Sequence, residues 1–412
     1  MRRRWLAGIF AVSVIWAVLV ALFSSDSVHR LWGVMAAVGY GLALLAVLVL
    51  RNARVCDLAL GLSFVGALLA PLTWMAAKGL EQPEVWVVAR SGSMLIHQGT
   101  PYASAAALAA TSNPNAYNPY LPVMALFGVP RALFDGGLLT DPRIWFGVVF
   151  FVVFWLALRQ AGARDPGRWA VLVAGSPVIA FELAVGGTDV PMVGFLCLGF
   201  ALLYRRPTSV RLAVLAGLAL GIASAMKVTA WPALVVAVVL IAVRDGRRSA
   251  WAFIVTALGV VAVCVGPFTV HPKSLVDNTI KFPLGLASVR SAASSPLLGH
   301  VIASTWNQTG HTIVVALLVL AGVAVALSLV FRPPRSVSRA VVLLAGAMTL
   351  MFVLAPSTRF GYFIYPATLA IWLFAVRAGT QAADGLATPD PDGPAASLRA
   401  SRPAIPVERP AA

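Results

Sequence analysis

The chain has 412 residues, 60% of them hydrophobic and 11% charged, with a mean hydropathy of +0.87. These values exclude a water-soluble globular domain and define a membrane protein. The formal net charge of +16 does not indicate a nucleic-acid binder, because the Arg and Lys residues lie in short clusters between apolar runs, where they report topology.

Apolar runs of about 17 to 22 residues recur along nearly the whole length, each long enough to cross roughly 30 Å of hydrocarbon as a helix. Barrel strands would alternate apolar and polar residues, so the spacing predicts an all-α, polytopic transmembrane helical bundle. The first run, at about 5–23, follows "MRRR" without a small-residue cleavage site before "SSDSVHR" and reads as a retained helix. Further helices are expected at about 32–50, 57–78, 143–158, 169–184, 190–204, 210–226, 229–243, 250–269, 312–331, 339–355 and 362–376, about 12 in all. Alternate connections, from "RNAR" to "RPPRSVSR", are basic. The positive-inside rule places them and both termini in the cytoplasm of a cell that holds the protein in its plasma membrane.

Two long connections, 79–142 and 270–311, then fall on the extracytoplasmic face, as do all the histidines: His29, His97, His271, His300 and His311. The tail 377–412 is rich in Pro, Ala and Asp and aperiodic, so it reads as a disordered cytoplasmic extension. Cys56, Cys197 and Cys264 lie in or beside apolar runs without CxxC spacing and read as small core residues. Neither clustered carboxylates nor His pairs have metal-ligand spacing, so no metal and no cofactor is expected.

The polar groups gather in a few stretches on that outer face. "EVWVVARSGSMLIHQGTPY", residues 84–102, has apolar residues at close to helical spacing and predicts an interfacial helix with Glu84 in its first turn. Glu84 is there either a reactive carboxylate or an acid favoured by the helix dipole. In "NPNAYNPYLPVMALFGVP", residues 113–130, Pro114, Pro119 and Pro122 fix an extended path. Tyr117, Asn118 and Tyr120 there either line a cavity or form an aromatic belt. "ELAVGGTDVP" carries Asp189 in a glycine-permitted turn, "SAMKVTAWP" puts Lys227 at the tip of a tight hairpin, and "APSTRFGYFIYP" places Arg359 at a helix start with Tyr362 beyond it. Charge near bilayer depth is costly, which marks each as a functional candidate, with snorkelling as the alternative for Lys227 and Arg359. Lys273, Lys281 and Arg290 make the second long connection basic, suiting either an anionic ligand or a solvated face.

With these residues assembled, the sequence resembles the GT-C class of polytopic glycosyltransferases, and within it glycosyltransferase family 87, the polyprenyl-phosphate-mannose-dependent mannosyltransferases of actinobacteria. Glu84, Trp86, Ala89, Gly99 and Pro101-Tyr102 follow the order of that family's first large outer loop. Tyr117-Asn118-Pro119-Tyr120-Leu121-Pro122, "GGTD", "MKVTAWP" and "RFGYFIYP" look like its later segments, so the resemblance covers most of 80–376. Two departures accompany it: the family's acid is usually Asp, and its catalytic loop usually follows the first helix, whereas here it follows the third. An extra N-terminal helix pair over 1–56, ahead of a catalytic body over 57–376, reconciles the second departure.

The resemblance implies transfer of a hexose, mannose by family, from a polyprenyl-phosphate donor to a lipid or glycan acceptor, with inversion and without a nucleotide sugar. A phosphate leaving group needs little protonation, so the essential group is a base for the acceptor hydroxyl, and Glu84 fills that place. Lys227 and Arg359 would balance phosphate charge; Asp189 and Asn118 would meet sugar hydroxyls; Tyr102, Tyr117, Tyr120 and Tyr362 complete the substrate contacts; His271 or His300 is a fallback base. The competing readings are a transporter or lipid flippase using the same outward cavity, and a non-catalytic membrane scaffold.

Overall fold

The computed structural model describes residues 3–204, 208–289, 291 and 293–387. The described residues contain helices and turns but no β-strand, only an isolated parallel bridge between Ser294 and Thr358. Among the described residues, eight helices are long and apolar enough to cross a membrane, nine if a bent pair counts as one more. The protein is a multi-pass membrane bundle.

In chain order the main helices are α1 (Arg3–Phe23), α2 (Ser27–Val49), α3 (Val55–Ala77), α4 (Pro83–Gln98), α5 (Pro122–Leu133), α6 (Pro142–Ala161), α7 (Pro166–Ala174) and α8 (Pro177–Val185). They continue with α9 (Val190–Leu202), α10 (Val210–Met226), α11 (Val228–Arg244), α12 (Arg247–Val270), α13 (Leu298–Thr305), α14 (Asn307–Phe331), α15 (Val337–Leu354) and α16 (Ile364–Ala387). Every expected apolar run is a helix. The run expected at 169–184 is bent by 54° between α7 and α8, where Pro177 cannot donate a backbone hydrogen bond to the preceding turn. α16 runs beyond the expected end at 376, while the rest of the predicted disordered tail, 388–412, lies outside the described residues, as does Arg290.

Helix packing follows the small residues. α9 is buried along most of its length, between α6 and α10. Gly217 and Gly221, one turn apart on α10, let its backbone approach α12 so closely that a Cβ on either would press on the backbone near Phe253 and Ala257. Close backbone approach of this kind is how helices gain contact where lipid supplies no hydrophobic drive between them. Large apolar side chains such as Val263, Val255, Leu320 and Val330 remain exposed on α12 and α14 and face the hydrocarbon.

One buried ion cluster sets the start of the first long connection. Arg143, fully buried at the head of α6, donates to Asp141 through Nε (3.0 Å) and Nη2 (2.8 Å), and through Nη1 to the carbonyls of Leu80 (2.9 Å) and Ala184 (2.7 Å). A bidentate, fully hydrogen-bonded guanidinium is the form in which a charge tolerates burial. The consequence is positional: the chain leaving α3 is fastened to the end of α8, and Gln82 N adds a bond to Val185 O at 2.9 Å.

Candidate active site

Gln82 is extended (ψ 155°) and Pro83 occupies the first helical position of α4, a residue pair that starts a helix without wasting an amide. Glu84 therefore projects from the first turn of α4, beside the end of α8. α4 is seated on α5 by Gly92 and Gly128, which meet backbone to backbone. The α8–α9 turn is "GGTD": Gly187 is left-handed (φ +44°), Val190 N bonds to Gly187 O at 3.1 Å, and Asp189 is thereby held at the head of α9. Leu121 N donates to Met226 O at 2.8 Å, which ties the Tyr-Asn-Pro-Tyr segment to the residue before Lys227.

These elements converge on a cavity of about 1150 Å³. At its polar end lie Glu84, Glu182, Asp189, Lys227, Arg359 and Tyr362. Two ion pairs organise it. Lys227 Nζ donates to Asp189 Oδ1 at 2.8 Å, with both side chains nearly buried, and Tyr365 donates its hydroxyl to the same oxygen at 3.0 Å. The Lys227 ammonium also lies 4.8 Å from the ring centre of Tyr362 and 5.5 Å from that of Tyr120, positions in which ring quadrupoles favour a cation. Arg359 Nη1 pairs with Glu84 Oε1. Glu84 Oε2 is buried with no hydrogen-bond partner among the described residues.

Burial acts against the charge on Arg359, but the nearby Glu84 carboxylate, reinforced by Tyr362, Tyr120 and Glu182, outweighs it and holds the guanidinium above its ordinary value. Tyr120 is pushed well above the usual phenol range by burial and then by the Glu84 and Asp189 carboxylates, so it stands as a neutral phenol that accepts a 3.2 Å bond from Thr188. From this end the cavity continues as an apolar groove between α11, α14 and α15, lined by Val235, Leu318, Val325, Leu329, Met348 and Met351. A set of carboxylates and cations thus opens onto an apolar groove.

Of the sequence-predicted residues, Glu84, Tyr117, Tyr120, Asp189, Lys227, Arg359 and Tyr362 line the cavity. Tyr117 does so while stacked on Phe282, ring centres 4.5 Å apart. Four others, expected to contact substrate, are not in its lining. Asn118 is buried and its groups are consumed by the scaffold: its amide N donates to Asn278 Oδ1 (2.7 Å), Nδ2 to Pro101 O (3.0 Å), and Oδ1 accepts from Tyr120 N (3.1 Å). Tyr102 is buried and donates its hydroxyl to Tyr120 O at 3.1 Å. His300 Nδ1 bonds with Pro356 O at 3.0 Å, and His271 is exposed ahead of a short helical turn away from the cavity lining. The second connection's lysines are also elsewhere: Lys281 pairs with Asp277 at 2.6 Å and Lys273 is exposed.

Glu182 opens the "ELAVGGTDVP" stretch, in which Asp189 alone is singled out as a functional candidate. The structure puts Glu182 in the last turn of α8, in the cavity wall, so close to Gly361 that a Cβ there would stand 2.5 Å from Oε1. The available signal was a carboxylate inside "FELAV", an expensive place for one. His29 and Gln82, hydrogen-bonded to each other, line the cavity too. Among the described residues no three His, Cys, Asp or Glu side chains gather as a metal-binding group.

The family model for Glycosyltransferase family 87 matches residues 118–356, more than half of the chain. The chain belongs to glycosyltransferase family 87. Glu84 lies ahead of the matched residues, as do α1 to α4. Among solved structures, family 87's fold here is similar to that of ArnT from Cupriavidus metallidurans bound to undecaprenyl phosphate, with TM-score 0.50, 18% identity, and coverage of 80% of this chain and 60% of that one. The apo state of the same protein gives TM-score 0.47 at 17% identity, covering 79% and 59%. The family 87 chain thus shares the GT-C fold over about 60% of the length of ArnT. A comparison with curated proteins finds no match.

Proposed function

We propose that this protein transfers a hexose, mannose by family resemblance, from a polyprenyl-phosphate donor to a lipid or glycan hydroxyl at the extracytoplasmic face of the plasma membrane. The observation that carries the reading is the juxtaposition in one cavity of an unpartnered carboxylate oxygen, Glu84 Oε2, with two cations, Lys227 and Arg359, at the head of an apolar groove. The description of ArnT as bound to undecaprenyl phosphate supports the same donor class for this chain. The clustering of basic residues in the alternate connections supports the orientation.

In the proposed reaction the prenyl chain lies between α14 and α15 and the phosphodiester meets Arg359 and Lys227. Phosphate competes with Glu84 for Arg359, so donor binding releases the carboxylate. Glu84 then accepts the acceptor's O–H proton as that oxygen forms its bond to the anomeric carbon. The bond from that carbon to the phosphate oxygen breaks, its electron pair leaves with polyprenyl phosphate, and the two cations offset the charge. Attack opposite the leaving phosphate inverts the anomeric centre. Tyr120, held neutral, and Asp189 face the sugar.

The test is transfer of labelled mannose from polyprenyl-phosphate mannose to a panel of lipid and glycan acceptors in proteoliposomes, with wild type and Glu84→Gln side by side. Transfer by wild type that the variant lacks supports the reading. Equal transfer by both removes Glu84 as base, and no transfer by wild type from any polyprenyl-phosphate sugar returns weight to a transporter or scaffold.

A further inference from the structure

The cavity lining also takes in the N-terminal hairpin, an arm apart from the groove assigned above to the donor. It is lined by Trp16 and Val20 on α1, by Ser24, Ser25 and Asp26 in the turn between α1 and α2, and by His29 in the first turn of α2. This hairpin lies outside the residues matched to family 87, yet its turn is fastened to the site. The His29 ring bonds through Nε2 to the Gln82 side chain and through Nδ1 to Ser24 Oγ at 3.1 Å, and it stands edge-on to Phe181 with centres 4.9 Å apart. Gln82 is two residues before Glu84 and is itself bonded to the end of α8.

The chemistry of this arm differs from that of the donor arm. Its charged and titratable groups are Asp26, His29 and the exposed Arg30, and Arg30 is engaged with the carbonyls of Ser24 and Ser25 at 3.1 and 3.3 Å. Asp26 Oδ1 caps α2 through Val28 N at 2.8 Å, leaving Oδ2 on the partly exposed carboxylate 3.9 Å from His29 Nε2. The Ser24 and Ser25 hydroxyls can both donate to and accept from sugar or polyol hydroxyls, and Asp26 Oδ2 can accept from them, while the engagement of Arg30 with backbone carbonyls disfavours a second phosphate. Below them Trp16, 47% exposed, and Val20 offer an apolar wall at the lipid-facing side of α1.

We propose that the α1–α2 turn is the acceptor subsite, and that it takes the hydroxyl-bearing head of a glycolipid whose acyl chains run along α1. The proposal rests on the transferase reading above and deepens it: donor and acceptor enter the Glu84 centre from opposite arms, the acceptor hydroxyl arriving past Gln82.

The experiment measures binding of two probes, undecaprenyl phosphate and a monohexosyl diacylglycerol, to the full chain in nanodiscs. Ser25→Trp fills the turn without touching a helix cap, Ser25→Ala is its control, and Lys227→Met weakens the other arm; thermal melting reports folding of each. The expected result is that wild type binds both probes together, Ser25→Trp loses about tenfold or more in glycolipid affinity with undecaprenyl phosphate unchanged, and Lys227→Met does the reverse. Unchanged glycolipid affinity in folded Ser25→Trp overturns the subsite, as does full competition between the probes, or wild type that binds undecaprenyl phosphate but no glycolipid. Wild type that binds glycolipid at the turn but no undecaprenyl phosphate upholds the subsite and overturns the donor reading instead.

Discussion

Replacing Glu84 by Gln isolates the proton-accepting role, because the amide keeps the shape and can still accept a hydrogen bond from Arg359 but cannot take the acceptor's proton. A positioned general base contributes about 10²- to 10⁴-fold, or roughly 3 to 5 kcal/mol of barrier, so kcat should fall by about a hundredfold or more. The donor side should move the other way. Arg359 and Glu84 have side-chain exposures of 30% and 21%, so the pair is partly solvated and its net worth is about 1 kcal/mol rather than the larger Coulomb figure for a buried pair. Relieving that competition should tighten undecaprenyl phosphate binding by about fivefold. Steady-state transfer and direct binding in the same proteoliposomes read both numbers. Wild-type kcat in a folded Glu84→Gln protein would refute the base; a raised KM with unchanged kcat would recast Glu84 as a binding group; weakened phosphate binding would refute the competition for Arg359.

Lys227→Met removes a cation that charge-assisted bonding makes worth about 1.5 to 3 kcal/mol to a phosphate, so undecaprenyl phosphate affinity should drop by about tenfold to a hundredfold; titration in nanodiscs checks this, and unchanged affinity would place the donor head elsewhere. Asn118→Ala should lower thermal stability by about 2 to 3 kcal/mol, through loss of buried side-chain hydrogen bonds, while KM in the molecules that remain folded stays near wild type; a KM effect without destabilisation would restore Asn118 to substrate contact. Glu81 lies in the link before α4, and its carboxyl is raised above the ordinary range by burial and then by Asp141, since its contacts to Arg143 (3.5 Å) and Arg131 (3.6 Å) are too long to compensate. Such a group stabilises the fold below its unfolded-state value and loses that contribution as pH rises through its raised value. Glu81→Gln should therefore melt above wild type at neutral pH, with the gap closing on acidification through the ordinary carboxylate range; a gap that widens on acidification contradicts the assignment.

Much of the candidate site's composition is legible in the sequence for one reason: charge is costly near lipid, so Glu84, Asp189, Lys227 and Arg359, which line one cavity, stand out against apolar runs. The same logic does not separate a substrate contact from a scaffold bond. Asn118 and Tyr102 look like cavity groups in a Pro-rich outer loop, yet their polar atoms are spent on Pro101, Asn278 and Tyr120. Glu182 was readable as an acid in an apolar helix, but its place in the cavity wall depends on the bend between α7 and α8 and on Gly361, 179 positions away in the chain (361 − 182).

Hydrophobic period and run length alone determined the all-helical membrane bundle and the order of its helices, because each span satisfies its own backbone hydrogen bonds and so is specified locally. What pairs with what was decided by tertiary structure. Lys227 with Asp189, Arg359 with Glu84, and the α1–α2 turn with Gln82 join residues far apart in the chain, and no local pattern encodes a distance that is set by how small residues let helices pack.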